Sequence, residues 1–154
     1  MVEITQLDDA GARSHQDDLA RLLHENYRIG FPESAVGVEY AREKIRGLIG
    51  YLERHEAIVY GAMDQGRLVG FLWGVRRQVF SATRYHINEL IVSAECRGQG
   101  IGRRLVEAYV AEASRAGVDG VDLFCSKSNA AAVGFYESLG FEVERYHMCL
   151  KRKT

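Results

Sequence analysis

The apolar run Leu90-Ile91-Val92 passes into Ser93-Ala94-Glu95-Cys96-Arg97-Gly98-Gln99-Gly100-Ile101-Gly102, and then into Arg103-Arg104-Leu105 at the head of a helical stretch. A strand that enters a glycine-rich turn and leaves as a helix restricts the fold more than any other segment of this chain. Such a turn exposes consecutive backbone N–H groups at a helix N-terminus. There the unsatisfied donors and the positive end of the helix dipole converge on an anion. The glycines let a phosphate approach the backbone, and Arg97 with Arg103 or Arg104 would add charge-assisted bonds. The same pattern also suits a plain tight turn with close strand–helix packing.

The anion is narrowed by what the turn lacks. A Walker A loop needs four residues between its glycines and then Gly-Lys-Ser/Thr, whereas Gly102 is followed by Arg103-Arg104. A dinucleotide fingerprint starting at Gly98 needs a small residue at 103, where Arg103 stands. Asp122 has the spacing of a ribose ligand but falls at the start of the next strand, so it reads as a solvent-facing strand residue.

Around this centre the periodicities alternate. Residues 1–7 read as a strand. Ser14 reads as an N-cap, followed by Leu19, Leu22, Leu23 and Tyr27 at helical spacing. A second helix over residues 38–54 carries Ala41, Ile45, Leu48, Ile49 and Leu52 on one stripe. The segment 28–37 between them holds Pro32, the only proline, and reads as a loop or broken helix. Residues 57–63 and 67–75 form a hairpin about Asp64-Gln65-Gly66, and residues 85–92 a further strand. A helix over 100–116 closes on Gly117, and a buried-looking strand spans 121–125. Asn129 caps a helix that ends at Leu139 with Gly140 beyond it, and residues 141–151 read as a last strand. The order β, α, α, β, β, β, α, β, α, β implies a single α/β (α+β) domain over residues 1–154 with a mixed sheet.

Composition excludes several classes. The chain has 20 Lys plus Arg and 21 Asp plus Glu, a net charge of −1, which argues against a general nucleic-acid binder. Its three cysteines, Cys96, Cys125 and Cys149, form no C-x-x-C pair, and five scattered histidines show no ligand spacing, so no metal site is expected. Free thiols fit a reducing compartment. The start, Met1-Val2-Glu3-Ile4-Thr5-Gln6, has no signal-peptide character, and no run is apolar for long enough to span a membrane. A cytoplasmic protein with no membrane partner is the expectation.

Two motifs then carry a resemblance. Arg97-Gly98-Gln99-Gly100-Ile101-Gly102, with Glu89-Leu90-Ile91-Val92 ahead of it, resembles the R/Q-x-x-G-x-G/A loop of the GNAT superfamily of acyl-CoA-dependent N-acetyltransferases. Asn129-Ala130-Ala131-Ala132-Val133-Gly134-Phe135-Tyr136-Glu137-Ser138-Leu139-Gly140-Phe141 is similar to that family's N-x-x-A-x-x-F-Y-x-x-x-G-F pattern. The resemblance covers residues 85–141, with the N-terminal third matching in architecture alone. It implies a GNAT-like fold, a mixed and mostly antiparallel sheet flanked by helices. It also implies acetyl-CoA as cosubstrate and a primary amine as acceptor. Dimerisation is common in the family, so a homodimer is one expectation. A non-catalytic CoA-binding or regulatory module with the same fold is the alternative.

By that resemblance, backbone groups of Leu90, Ile91 and Val92 pair with the pantetheine arm, as an added strand does. Backbone N–H groups of Gly98, Gln99, Gly100, Ile101, Gly102, Arg103 and Arg104, with the Arg97 side chain, hold the pyrophosphate, and Ile101 packs beneath. Asn129 reaches the pantetheine or caps its helix. Tyr136 protonates the departing thiolate. An alkyl amine has a pKa near ~10.4 and arrives protonated, so a group must take a proton. Glu89 is the nearest carboxylate. Strand alternation points it away from His86 and Asn88, so His86 or a water held by Asn88 is the alternative base, unless a bulge resets the faces. A backbone N–H of Ile91 or Val92 meets the developing oxyanion, and no acyl-enzyme is required. Cys125 reads as inert core rather than nucleophile. Arg76, Arg77 and Arg84 read as a solvated hairpin end. Tyr27, Phe31, Glu33 and Trp73 are acceptor-site candidates by family architecture.

Overall fold

The structure, a computed structural model, describes residues 1–153. The backbone forms two compact units, Met1–Leu123 and a second from Phe124 onward.

In the first unit a five-stranded sheet runs in the order β1 (Glu3–Leu7), β2 (Ala57–Asp64), β3 (Arg67–Val79), β4 (Ala82–Val92), β5 (Gly120–Leu123). All neighbours are antiparallel except β4 and β5. This is the mixed, mostly antiparallel sheet expected. The β2–β3 hairpin turns on Gln65 and Gly66, both at positive φ (48° and 82°), the geometry of a two-residue turn that matches strand twist. The β3–β4 arms extend further than the periodicity predicts, because Arg76, Arg77 and Arg84 continue the ladder to Val79 and Ala82 instead of fraying into solvent.

Three helices precede β2: α1 (Asp9–Ser14), α2 (Gln16–Gly30) and α3 (Val38–Glu53), with a single 3-10 turn at Pro32–Ser34. Ser14 is not the N-cap of a helix. It is the last residue of α1, and its hydroxyl donates back to the Gly11 carbonyl. The cap belongs to Asp8, whose carboxylate accepts from Gly11 N at 2.7 Å, as a short acceptor at a helix start should. Ala41, Ile45, Leu48, Ile49 and Leu52 of α3 are all buried, as their spacing predicts. They meet Leu19, Leu22 and Leu23 of α2 and Phe71 and Trp73 of β3 in one core. Each large side chain there contributes about 1.5–3 kcal/mol by leaving water.

Helix α4 (Ile101–Arg115) crosses the other face, burying Ile101, Leu105, Val106, Tyr109 and Ala113. It ends in a Schellman closure: Gly117 (φ 68°) donates to Ser114 O, and Val118 donates to Ala113 O. No helix of the described residues is long and apolar enough to cross a membrane.

In the second unit α5 (Ala130–Ser138) is capped by Asn129, whose Oδ1 accepts from Ala132 N at 3.1 Å. The expected last strand over residues 141–151 does not form. The alternation behind that expectation breaks parity: Phe141 and Val143 are apolar at odd positions, but Tyr146, Met148 and Leu150 at even ones. No single strand face is therefore apolar throughout. Cys125 is likewise not a buried strand residue. The strand stops at Leu123 and Cys125 is exposed.

Candidate functional site

β4 carries the polar centre of the first unit. Its register against β3 pairs Trp73 with Glu89 and Gly74 with Ile87, leaving Asn88 as the extra residue of a bulge. The consequence is a change of face. Glu89 shares its side of the sheet with Trp73, and His86 shares its side with Val75, two β3 residues that both pack on the α2–α3 core. Uninterrupted alternation would have set Glu89 and His86 on opposite faces; the bulge puts them on one.

Gly74 and Tyr109 hold this bulge. A Cβ at Gly74 would overlap both the His86 carbonyl and the Tyr109 hydroxyl. That hydroxyl, fully buried, donates to His86 O at 3.2 Å. Burial drives the Tyr109 phenol well above its usual pKa, so it remains a donor.

Glu89 is held from two sides. Tyr27 Oη donates to Oε1 and Trp73 Nε1 donates to Oε2, each at 2.7 Å, and Lys44 Nζ lies 4.0 Å from Oε1. Burial, followed by the bond to Glu89, pushes the Tyr27 phenol far up. Beside this triad opens a cleft of about 390 Å³ whose walls include Tyr40, Glu43, Lys44, Tyr51, Trp73 and Asn88. Tyr51 and Trp73 rings stand 6.1 Å apart, and Tyr40 packs on Tyr27 at 5.9 Å.

On the same face His86 Nδ1 lies 2.6 Å from Asp122 Oδ1, while Arg77 and Arg84 approach Asp122 Oδ2 at 3.3 and 3.6 Å. Asp122 is thus not a solvent-facing residue but a largely covered hub that ties β5 to β3 and β4, and the arginines are not a solvated hairpin end.

The ladder between β4 and β5 covers Arg84–Ile87 against Gly120–Leu123, and β4 runs on through Leu90, Ile91 and Val92. Past β4, Arg97 Nε donates to Val92 O at 3.1 Å and folds the turn back on the strand. Gly98 and Gly100 have φ of 74° and 75°, and neither has any neighbour where a Cβ would stand. Gly100 is the N-cap of α4 with no side-chain cap, and the first helical bond runs from Arg104 N to Gly100 O. The N–H groups of Ile101, Gly102 and Arg103 therefore have no acceptor within the helix. This start fits an anionic group approaching the backbone. The Arg104 guanidinium donates to Val2 O at 2.9 Å, and Arg103 reaches Glu107 at 3.9 Å.

In the second unit Tyr136 is the third residue from the end of α5, and Gly140 (φ 90°) closes the helix. Gly140 N donates to Glu137 O and Phe141 N to Tyr136 O. The Tyr136 ring meets Phe141 edge-on at 5.6 Å and Phe135 at 5.0 Å. The spacing F-Y-x-x-x-G-F is thus a complete Schellman motif with its hydrophobic contact. Burial, with Cys125 nearby, pushes the Tyr136 phenol up to about 12. Desolvation also raises the Cys125 thiol, the opposite of what a nucleophile needs.

The acetyltransferase (GNAT) family profile matches residues 17–141. The chain belongs to the GNAT family. A mycothiol acetyltransferase of Propionibacterium freudenreichii subsp. shermanii is 31% identical over 137 residues, covering 82% of this chain and 41% of that protein. The fold matches a possible acetyltransferase from Clostridium difficile 630, with TM-score 0.80 at 16% identity over 100% of this chain and 99% of that one. It also matches an aminoglycoside N-acetyltransferase solved in complex with CoA, with TM-score 0.78 at 16% identity over 100% and 96%. The chain spans 41%, 27% and 58% of the length of three of the curated relatives it matches.

Within this GNAT chain the expected residues fall into two groups. Glu89, Leu90, Ile91, Val92, Arg97 and the residues through Arg104 form one continuous strand–turn–helix of the first unit, with Tyr27 and Trp73 converging on Glu89. Asn129 and Tyr136 belong to the second unit. Phe31 and Glu33 are exposed, and Phe31 packs against Tyr27 with ring centroids 6.2 Å apart. Sequence reasoning missed Tyr40, Lys44 and Tyr51. Their signal was present, as a stripe at 40, 44, 47 and 51 running one residue ahead of the apolar stripe of α3.

Proposed function

We propose that the chain is an N-acetyltransferase that moves the acetyl group of acetyl-CoA directly to a primary amine. The observation that carries this reading is the start of α4: two open glycines at positive φ and an uncapped helix N-terminus, on the same strand–turn–helix that presents Glu89. When bound, acetyl-CoA supplies an electrophilic thioester carbonyl.

The chain's own residues then divide the work. Backbone groups of Leu90, Ile91 and Val92 bind the pantetheine arm, and the N–H groups of residues 98–104 bind the pyrophosphate, with Arg97 bracing the turn. Glu89, fixed by Tyr27 and Trp73, takes the ammonium proton of the acceptor directly or through water. The amine attacks the thioester carbonyl to form the C–N bond, and a backbone N–H of Ile91 or Val92 stabilises the tetrahedral oxyanion; as that intermediate collapses the C–S bond breaks, Tyr136 gives its proton to the sulfur, and the proton lost by the nitrogen restores the phenol. Asn129 holds the helix that carries Tyr136. One catalytic domain across residues 1–154, a cytoplasmic location and a homodimer complete the reading.

The test is a thermal shift with acetyl-CoA followed by thiol release on an amine panel. A saturable rise in Tm with amine-dependent CoA release is expected. Absence of both at millimolar acetyl-CoA overturns the assignment.

A further inference from the structure

We infer that Lys44 is a site of self-acetylation: the chain transfers an acetyl group from acetyl-CoA to the ε-amine of its own Lys44, with Glu89 taking the proton. The inference rests on the acetyltransferase reading and adds a modification site beside the same carboxylate.

Lys44 stands out first in the sequence. Of the 20 lysine and arginine side chains four are lysines, Lys44, Lys127, Lys151 and Lys153, and Lys44 alone falls within Met1–Leu123. An arginine at position 44 would pair with a carboxylate through two N–H groups, but its guanidinium does not give up a proton and so cannot attack. A lysine supplies a point charge and, once deprotonated, a nucleophile.

The fold then sets that amine beside a proton acceptor. Lys44 Nζ lies 4.0 Å from Glu89 Oε1. Each carboxylate oxygen carries two lone pairs. Tyr27 takes one on Oε1 and Trp73 one on Oε2, so each oxygen keeps one for a further proton. The Glu89 side chain is 15% exposed and that of Lys44 41%, so the carboxylate is fixed while the ammonium is free to move. In the acetyltransferase reading the thioester carbonyl sits against the N–H of Ile91 or Val92 on the same strand. The flexible four-carbon stem lets the freed amine swing from the carboxylate toward it. An amine tethered beside both reacts as if at high concentration.

The step balances without a further reactant. One of the three ammonium protons passes to Glu89, and the nitrogen lone pair attacks the thioester carbonyl. The C–N bond forms, the tetrahedral intermediate collapses, and the C–S bond breaks. A second proton ends on the sulfur of CoA, and the third stays as the amide N–H. Glu89 then returns its proton to water. The product amide carries no charge, so the cleft walled by Tyr40, Glu43, Tyr51 and Trp73 loses its lysine cation.

The experiment incubates the full chain with acetyl-CoA and no added amine, and follows acetyl occupancy of the four lysines by peptide mass mapping. It is repeated on diluted protein, in urea, and on Glu89→Gln, whose Tm verifies folding. Support is a Lys44 rate constant at least about tenfold above that of each other lysine, unchanged on dilution, reduced to theirs in urea, and about 10²-fold lower in Glu89→Gln. Equal rates at all four lysines, the same rate in urea, a rate constant that falls on dilution, or an unaltered rate in Glu89→Gln overturns it. Should Glu89→Gln not fold, the wild-type comparisons decide alone. Full occupancy of Lys44 as purified supports the inference if Glu89→Gln from the same host is unmodified, and overturns it if that variant is modified too. Thiol release on an amine panel separates the two claims. Turnover of an added amine with Lys44 unmodified overturns the inference and leaves the acetyltransferase reading standing. Absence of turnover, of Lys44 acetylation and of a rise in Tm with acetyl-CoA overturns both.

Discussion

The hydroxyl of Tyr109 donates to the carbonyl of His86 at 3.2 Å, across the space that a side chain at Gly74 would fill. One helix residue of α4 thereby fixes the β4 bulge that turns Glu89 toward α2 and α3. Gly74→Ala is expected to lower stability by about 1–3 kcal/mol, because backbone and a buried phenol both obstruct the methyl. Tyr109→Phe should cost about 1 kcal/mol or more by leaving a buried carbonyl without its donor. The double variant should remain destabilised, since the His86 carbonyl still obstructs. Urea unfolding of the three variants checks this.

Glu89→Gln should reduce kcat by about 10²-fold or more, the usual worth of a positioned proton acceptor. Tyr27→Phe and Trp73→Phe each remove one 2.7 Å bond to that carboxylate and should lower kcat by a smaller factor. Steady-state kinetics with acetyl-CoA saturating measure all three. A Glu89→Gln enzyme with unaltered kcat would return His86 or an Asn88-bound water to the role.

Gly100→Ala forces a side chain into φ 75° and places a methyl where the turn is open. The left-handed backbone alone should cost about 1–2 kcal/mol. The affinity for CoA should fall further than stability predicts, because the methyl takes up open space in the turn through which the proposed pyrophosphate approaches. Calorimetric titration with CoA, set against Tm, separates the two effects.

Tyr136→Phe should lower kcat more than it weakens CoA binding; equal losses would make the phenol a packing residue only. The pH dependence has a definite sign. The folded phenol titrates near 12, above the unfolded value near 10, so the folded state holds this proton more tightly. Its contribution to stability is complete below about pH 10 and is lost as pH rises toward 12. Phenolate absorbance should show one late-titrating tyrosine disappear in the variant, and activity should have no alkaline limb from Tyr136 below about pH 11.

Local patterns made much of the fold readable in advance. The α3 stripe, the Gln65-Gly66 turn and the Gly117 and Gly140 stops each follow from neighbours within a few residues. What stayed hidden depends on contacts far apart in the chain. The bulge at Asn88 exists because Tyr109 and Gly74 meet there, and neither position signals the other in sequence. Asp122 looked solvent-facing because its partners Arg77, Arg84 and His86 lie more than thirty positions away. The glycine loop and its uncapped helix were legible because both sit in one segment. The motif around Tyr136 was legible as well, and its spacing is the spacing of a Schellman closure, so helix termination alone accounts for Tyr136, Gly140 and Phe141.

The bare head of α4 has a thermodynamic corollary. Three amides there lack a partner in the helix, so an anion settling on them strengthens the fold by RT ln(1 + [L]/Kd). If that anion is the acetyl donor, the melting temperature of this protein rises with the concentration of its own cosubstrate.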